Sequence, residues 1–130
     1  MSKRILVVED HEDNMRIMND MLSSAGYEVI KAVTGHEGVA MAESHKPDLI
    51  FMDVQLPGLD GYQATRRIKD NAALRHIPVI AVTSYAMDGE ESRAEEAGCD
   101  AYFSKPVSPR ALLAKVVGHA IPSRSTTDDW

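Results

Sequence analysis

The sequence reads as an α/β domain in which a parallel sheet is covered by helices on both faces. Short apolar runs recur along the chain, and most are continuous rather than alternating, as expected of strands buried on both sides. Segments with helical periodicity, carrying cap and breaker residues, separate them. Strand and helix alternate five times, and right-handed crossovers between such units give a parallel sheet.

Ile5-Leu6-Val7-Val8 is the first strand. Asp13 or Asn14 then caps a helix whose Met15, Met18, Leu22 and Ala25 fall on one stripe, and Gly26 ends it. Tyr27 to Val33 carries Glu28 and Lys31 and reads as a more exposed strand at a sheet edge. Gly35 to Ser44 is a short helix, and Pro47 bars it from running into the next strand, Leu49-Ile50-Phe51-Met52. Asp60 to Asp70 is helical after the turn Leu56-Pro57-Gly58. Pro78 precedes the fourth strand, Val79-Ile80-Ala81-Val82. Asp88 to Ala97 is a helix closed by Gly98, followed by the strand Ala101-Tyr102-Phe103. Ser108-Pro109, a cap and a first-turn proline, opens Arg110 to Ala120. The segment from Ser123 to Trp130 has no apolar periodicity and is expected to be disordered. These limits predict one domain over residues 1–121 and a tail over 122–130.

Composition narrows the function. The 130 residues are 44% hydrophobic and 26% charged, which suits a domain with a core. Fourteen Lys+Arg against 20 Asp+Glu give a net charge of -6, against the basic clusters a nucleic-acid binder needs. The single Cys99 can make neither an internal disulfide nor a zinc knuckle. The start offers only four apolar residues before Glu9-Asp10, too few for a signal peptide or a membrane span. A soluble cytoplasmic protein is expected, binding neither nucleic acid nor membrane.

The chemistry gathers where the strands end. Glu9-Asp10 follows the first strand, Asp53 the third, Thr83-Ser84 the fourth and Ser104-Lys105 the fifth, and the carboxyl edge of an open α/β sheet is where ligands bind. If the first and third strands are neighbours, a spacing of about 4.8 Å brings Asp10 and Asp53 together. Two like charges 4 Å apart cost about 4 kcal/mol at an effective dielectric of 20, so the group calls for a cation. All-oxygen ligands point to Mg²⁺, Mn²⁺ or Ca²⁺, with Mg²⁺ favoured where phosphate is handled. No EF-hand loop, dinucleotide fingerprint or P-loop is present, and Gly35-His36-Glu37-Gly38 supplies none of them. Thr83 alone would pass as a helix cap and Lys105 as a surface residue. Together they add donors for a transferred anion beside a carboxylate nucleophile, which describes phosphoryl transfer.

These residues resemble the receiver domain of two-component response regulators, the CheY-like family. The motifs are Glu9-Asp10, Asp53 within Phe51-Met52-Asp53-Val54-Gln55-Leu56-Pro57-Gly58, Thr83-Ser84, and Lys105-Pro106. The resemblance extends to about Ile121, and within the family the chain is similar to the DivK-like regulators of cell polarity and division. It implies a flavodoxin-like (βα)5 fold with strand order 2-1-3-4-5. It further implies that Asp53 accepts a phosphoryl group from a histidine kinase or phosphotransfer protein. Glu9, Asp10, Asp53 and the backbone carbonyl of Gln55 would arrange Mg²⁺, while Thr83 and Lys105 bind the phosphoryl oxygens. Tyr102 is the aromatic that reports the state, Lys105-Pro106 a cis peptide, and Thr83, Tyr102, Lys105 and Pro106 the switch.

By the same resemblance, downstream proteins bind the face made by the fourth helix, fifth strand and fifth helix. The first helix, through Met15 and Met18, docks the phosphodonor, although either methionine also suits the core. The acids Asp88, Glu90, Glu91, Glu95 and Glu96, opposed by Arg93, read as a solvated face bordering the partner surface. Gln55 and Tyr85 occupy positions that tune acyl-phosphate lifetime, and bulky Tyr85 is expected to slow hydrolysis. The chain would act as a switch and not as an enzyme on other substrates. A phosphatase of the haloacid-dehalogenase type needs a second Asp where Gln55 stands. A receiver belonging to a hybrid histidine kinase is the alternative. His11, His36, His45, His76 and His119 show no metal-ligand pairing, and Cys99 reads as buried or incidental.

Overall fold

A computed structural model describes residues 3–56, 58–83, 90–104 and 114. Within them the chain forms β1 (Arg4–Val8), α1 (Glu12–Ser24), β2 (Glu28–Ala32), α2 (Gly35–His45), β3 (Leu49–Asp53), α3 (Gly61–Asp70), β4 (Val79–Thr83), α4 (Glu90–Ala97) and β5 (Ala101–Ser104). The five strands are parallel in the order β2-β1-β3-β4-β5. The expected fold and strand order are those observed. Apart from Ala114, the fifth helix expected over Arg110 to Ala120 lies outside the described residues, as do Ser84, Tyr85, Lys105, Pro106 and the segment 122–130.

Side-chain alternation along the strands sorts the core into two layers. Ile5, Val7, Leu49, Phe51, Ile80 and Val82 point to one face and pack with Met15, Met18 and Leu22 of α1. Leu6, Val8, Ile50 and Met52 point to the other, against Ala42 of α2 and Ala64 and Ile68 of α3. Ala81 meets Ala94 and Ala97 of α4 on that same side. All five residues of β3 and of β4 are buried, whereas β2 at the edge has exposed Glu28 and Lys31. Continuous apolar runs thus mark the inner strands, and the mixed run marks the edge.

One helix start differs from expectation, and another carries a cap that was not expected. Helix α1 starts at Glu12 behind His11, not behind Asp13 or Asn14, and His11 makes no side-chain cap. Glu12 and Asp13 in the first turn supply the negative charge that favours a helix N-terminus. Helix α2 is capped by Thr34, whose Oγ1 accepts from the Glu37 backbone N–H at 3.0 Å, a cap the sequence reading did not assign. The docking role expected of Met15 and Met18 is overturned, since both are buried in the core; the exposed apolar residue of α1 is Ile17.

Candidate functional site

The site lies at the carboxyl edge of β1, β3 and β4. Strand β2 lies on one side of β1 and β3 on the other, so the order reverses here, and at such a switch point the loops splay apart to leave a crevice. Val8 pairs with Met52, which places Glu9 and Asp10 just beyond β1 beside Asp53, the last residue of β3. Asp53 pairs with Val82, so Thr83 stands one residue further along β4. The juxtaposition of Asp10 and Asp53 inferred from strand spacing is therefore met.

Burial grades across the group. Glu9, Asp53 and Thr83 are 1%, 2% and 1% exposed, while Asp10 and His11 open to solvent. Backbone bonds fix the two buried acids. The Glu9 N–H donates to the Ala32 carbonyl of β2 at 2.9 Å, and the Val54 N–H to Val82 of β4 at 3.0 Å. Asp53 Oδ1 accepts the Gln55 N–H at 3.0 Å, which sets the rotation of the carboxylate as in an Asx turn.

Glycines let the helices approach the loop after β3. A Cβ at Gly61 would run into the Asp53 carbonyl oxygen and the Val54 Cα, so α3 starts hard against the residues that carry the site. Gly38 of α2 likewise sits against the Val8 side chain, one residue before Glu9. Close approach between segments distant in sequence leaves no local signal, and neither contact is visible before folding.

Glu9, Asp10, His11 and Asp53 each offer one ligand atom, and these atoms lie within 4.8 Å of one another. His11, which showed no metal-ligand pairing in the sequence, stands beside the carboxylates in the fold. Its Nδ1 lies 3.3 Å from both Glu9 Oε2 and Asp10 Oδ1. The donor set, three carboxylates and one imidazole on a partly open rim, suits a hard or borderline divalent cation and a transferred anion beside it.

Other expected residues are placed without joining this cluster. Tyr102 of β5 is half-buried and packs with the cluster of Val54, Tyr62 and Ala81. Ser104, which precedes Lys105, pairs with Thr83. Arg93 of α4 places its guanidinium over the Tyr62 ring of α3, 4.9 Å from the ring centroid. No described helix is long and apolar enough to cross a membrane.

Comparison with known proteins agrees with this geometry. The family described as response regulator receiver domain matches residues 5–117. A polar-differentiation response regulator DivK of Brucella ovis is 49% identical over 113 residues, covering 86% of this chain and 92% of that protein. The receiver domain of a sensor histidine kinase from Pseudomonas aeruginosa, with a magnesium ion coordinated in its active-site cleft, is 36% identical. It superposes with a TM-score of 0.86 over 92% of this chain and 98% of its own. The Vibrio cholerae chemotaxis protein CheY4, 24% identical, shares the fold with a TM-score of 0.87 over 92% of this chain and 99% of its own. Sequence match, strand order and the acidic crevice agree: the chain belongs to the response regulator receiver domain family.

Proposed function

We propose that the protein is a phosphorylation switch of a two-component phosphorelay, in which Asp53 accepts a phosphoryl group from a histidine kinase or phosphotransfer protein. The observation that carries this reading is a buried Asp53 at a strand end, its carboxylate oriented by the Gln55 N–H and grouped with Glu9 and Asp10. The residues present fit Mg²⁺, which would be held by Glu9, Asp10, Asp53 and the Gln55 backbone carbonyl. When bound, it offsets the negative charge of the carboxylates and of the incoming phosphoryl oxygens.

An Asp53 carboxylate oxygen attacks phosphorus while the P–N bond to the donor imidazole breaks. The bond electrons leave with the imidazole, and an acyl phosphate remains on Asp53. The Thr83 hydroxyl donates to a phosphoryl oxygen and the Lys105 ammonium pairs with another. Drawing these two groups inward shifts the equilibrium of a switch that includes Tyr102 and Pro106. Tyr85 shields the acyl phosphate from water. The domain occupies residues 1–121, is cytoplasmic, and passes its signal to a protein that reads the face of α4, β5 and the segment after Pro109. By likeness to DivK, that signal bears on cell polarity.

A second reading is favoured by the 36% identity to a receiver that is part of a sensor histidine kinase: the domain then relays phosphate onward within such a system. Both readings share the chemistry at Asp53. Incubation with a small acyl phosphate and Mg²⁺, followed by intact-mass analysis, is expected to add one phosphoryl group to the wild type and none to Asp53→Ala. An unmodified wild type, or equal labelling of the variant, would overturn the assignment. Transfer of the group from the labelled protein to a phosphotransfer histidine separates relay from terminal switch.

A further inference from the structure

We infer that the His11 imidazole is a donor in the cation pocket and sets which divalent ion the pocket prefers, moving it from Mg²⁺ toward borderline first-row ions such as Co²⁺. This rests on the cation site proposed above and concerns a residue that the receiver motifs do not include.

Geometry points to it first. On a six-coordinate ion with bonds of about 2.1 Å, donors at right angles are about 3.0 Å apart and opposed donors about 4.2 Å. His11 Nδ1 is 3.3 Å from Glu9 Oε2 and 3.3 Å from Asp10 Oδ1, close to the right-angle spacing for both. All four donors, Asp53 included, fall within 4.8 Å. A small contraction around an ion brings them into one shell.

The backbone explains why the ring is there. His11 is the N-cap of α1 with extended φ -89° and ψ 122°, yet its side chain caps nothing. Its own N–H donates to Glu9 Oε2 at 3.1 Å, folding the tripeptide Glu9-Asp10-His11 back on itself. An N-cap side chain is ordinarily turned to the helix N–H groups; this one is turned to the carboxylates. The ring remains 68% exposed, so its coordination needs no burial of the imidazole.

The chemistry gives the consequence. Carboxylates, carbonyls and water serve Mg²⁺, which gains little from nitrogen, whereas imidazole favours later first-row ions. Bonding through Nδ1 leaves the hydrogen on Nε2, the nitrogen directed away from the pocket's donor atom.

The test uses the full chain and the metals alone. His11→Asn retains a good N-cap residue, so the helix start is preserved. Calorimetric titration with Co²⁺ and with Mg²⁺ is expected to show the ratio of Co²⁺ to Mg²⁺ affinity falling about tenfold in His11→Asn. Proton NMR of the Co²⁺ form is expected to show hyperfine-shifted imidazole resonances that disappear in the variant and on displacement by excess Mg²⁺. An unchanged ratio, or resonances that persist in the variant and so belong to other histidines, would overturn the inference. So would a parallel rise in both affinities, which would make His11 a competitor for the carboxylates. If the wild type binds neither ion, or Asp10→Asn binds both undiminished, the underlying cation site fails and this inference with it.

Discussion

Cys99 shows how burial decides the chemistry of one side chain. It follows α4 and packs beside both the Cys99-facing part of the α3 core and the Tyr62 cluster, with Sγ 3.9 Å from Thr65 Oγ1. Burial pushes the thiol up from 9.0 to about 11, the hydroxyl of Thr65 opposing in part. The thiolate is thus disfavoured in the fold, and an unfolded chain loses its proton first. The stability this thiol contributes is intact below about pH 9 and is lost as pH rises toward 11. At pH 8 the native thiol is expected to alkylate roughly a hundredfold more slowly than the same thiol in urea, since only thiolate reacts. Equal rates, followed by mass spectrometry, would show an open reactive cysteine. The sequence reading of Cys99 as buried or incidental agrees with its half-buried position.

Helix α3 packs against the loop that follows Asp53, and its start is specified by two reciprocal bonds. The Gln63 N–H donates to Asp60 Oδ1 at 2.9 Å, and the Asp60 N–H to Gln63 Oε1 at 3.1 Å. This capping box leaves Gly61 free to press against Asp53. Asp60→Ala is expected to lower stability by about 1 kcal/mol, measured by urea unfolding, with Asp60→Ser recovering most of the loss. An unaltered midpoint in Asp60→Ala would mean that tertiary packing alone fixes this end. The start of α3 was legible from the turn Leu56-Pro57-Gly58 before it, although Asp60 was expected as its first residue and is instead its cap, paired with Gln63 three residues on. The inner strands were legible for a related reason, since continuous apolar runs record burial on both faces. His11 was not, because neither its pattern nor its neighbours reveal that an N-cap ring turns away from its helix. Gly61 and Gly38 were hidden for a different reason, their contacts being made only when distant segments close on one another.

At the scale of the molecule, fold and site are coupled through charge. The parallel order that buries β1 and β3 between neighbours also delivers Glu9 and Asp53 to one crevice at 1% and 2% exposure, with Asp10 and His11 on its rim. An ion that bridges groups from two strands binds the folded chain and finds no such array in the unfolded one. Its binding free energy is then added to that of folding, by about 2.7 kcal/mol at a free concentration one hundred times the dissociation constant. For a chain of this size that corresponds to a rise in Tm of several degrees. Mg²⁺ is therefore expected to raise the Tm of the wild type in a saturable manner, read by calorimetry at constant ionic strength. The same titration of Asp53→Asn, which neutralises a buried carboxylate without a large change in volume, is expected to give a much smaller rise. Matching increments in the two proteins would assign the effect to general screening of the -6 charge rather than to this crevice. A rise confined to the wild type places the cation, Asp53 and the central strands in one cooperative unit, so that loading the site and stabilising the sheet are a single event.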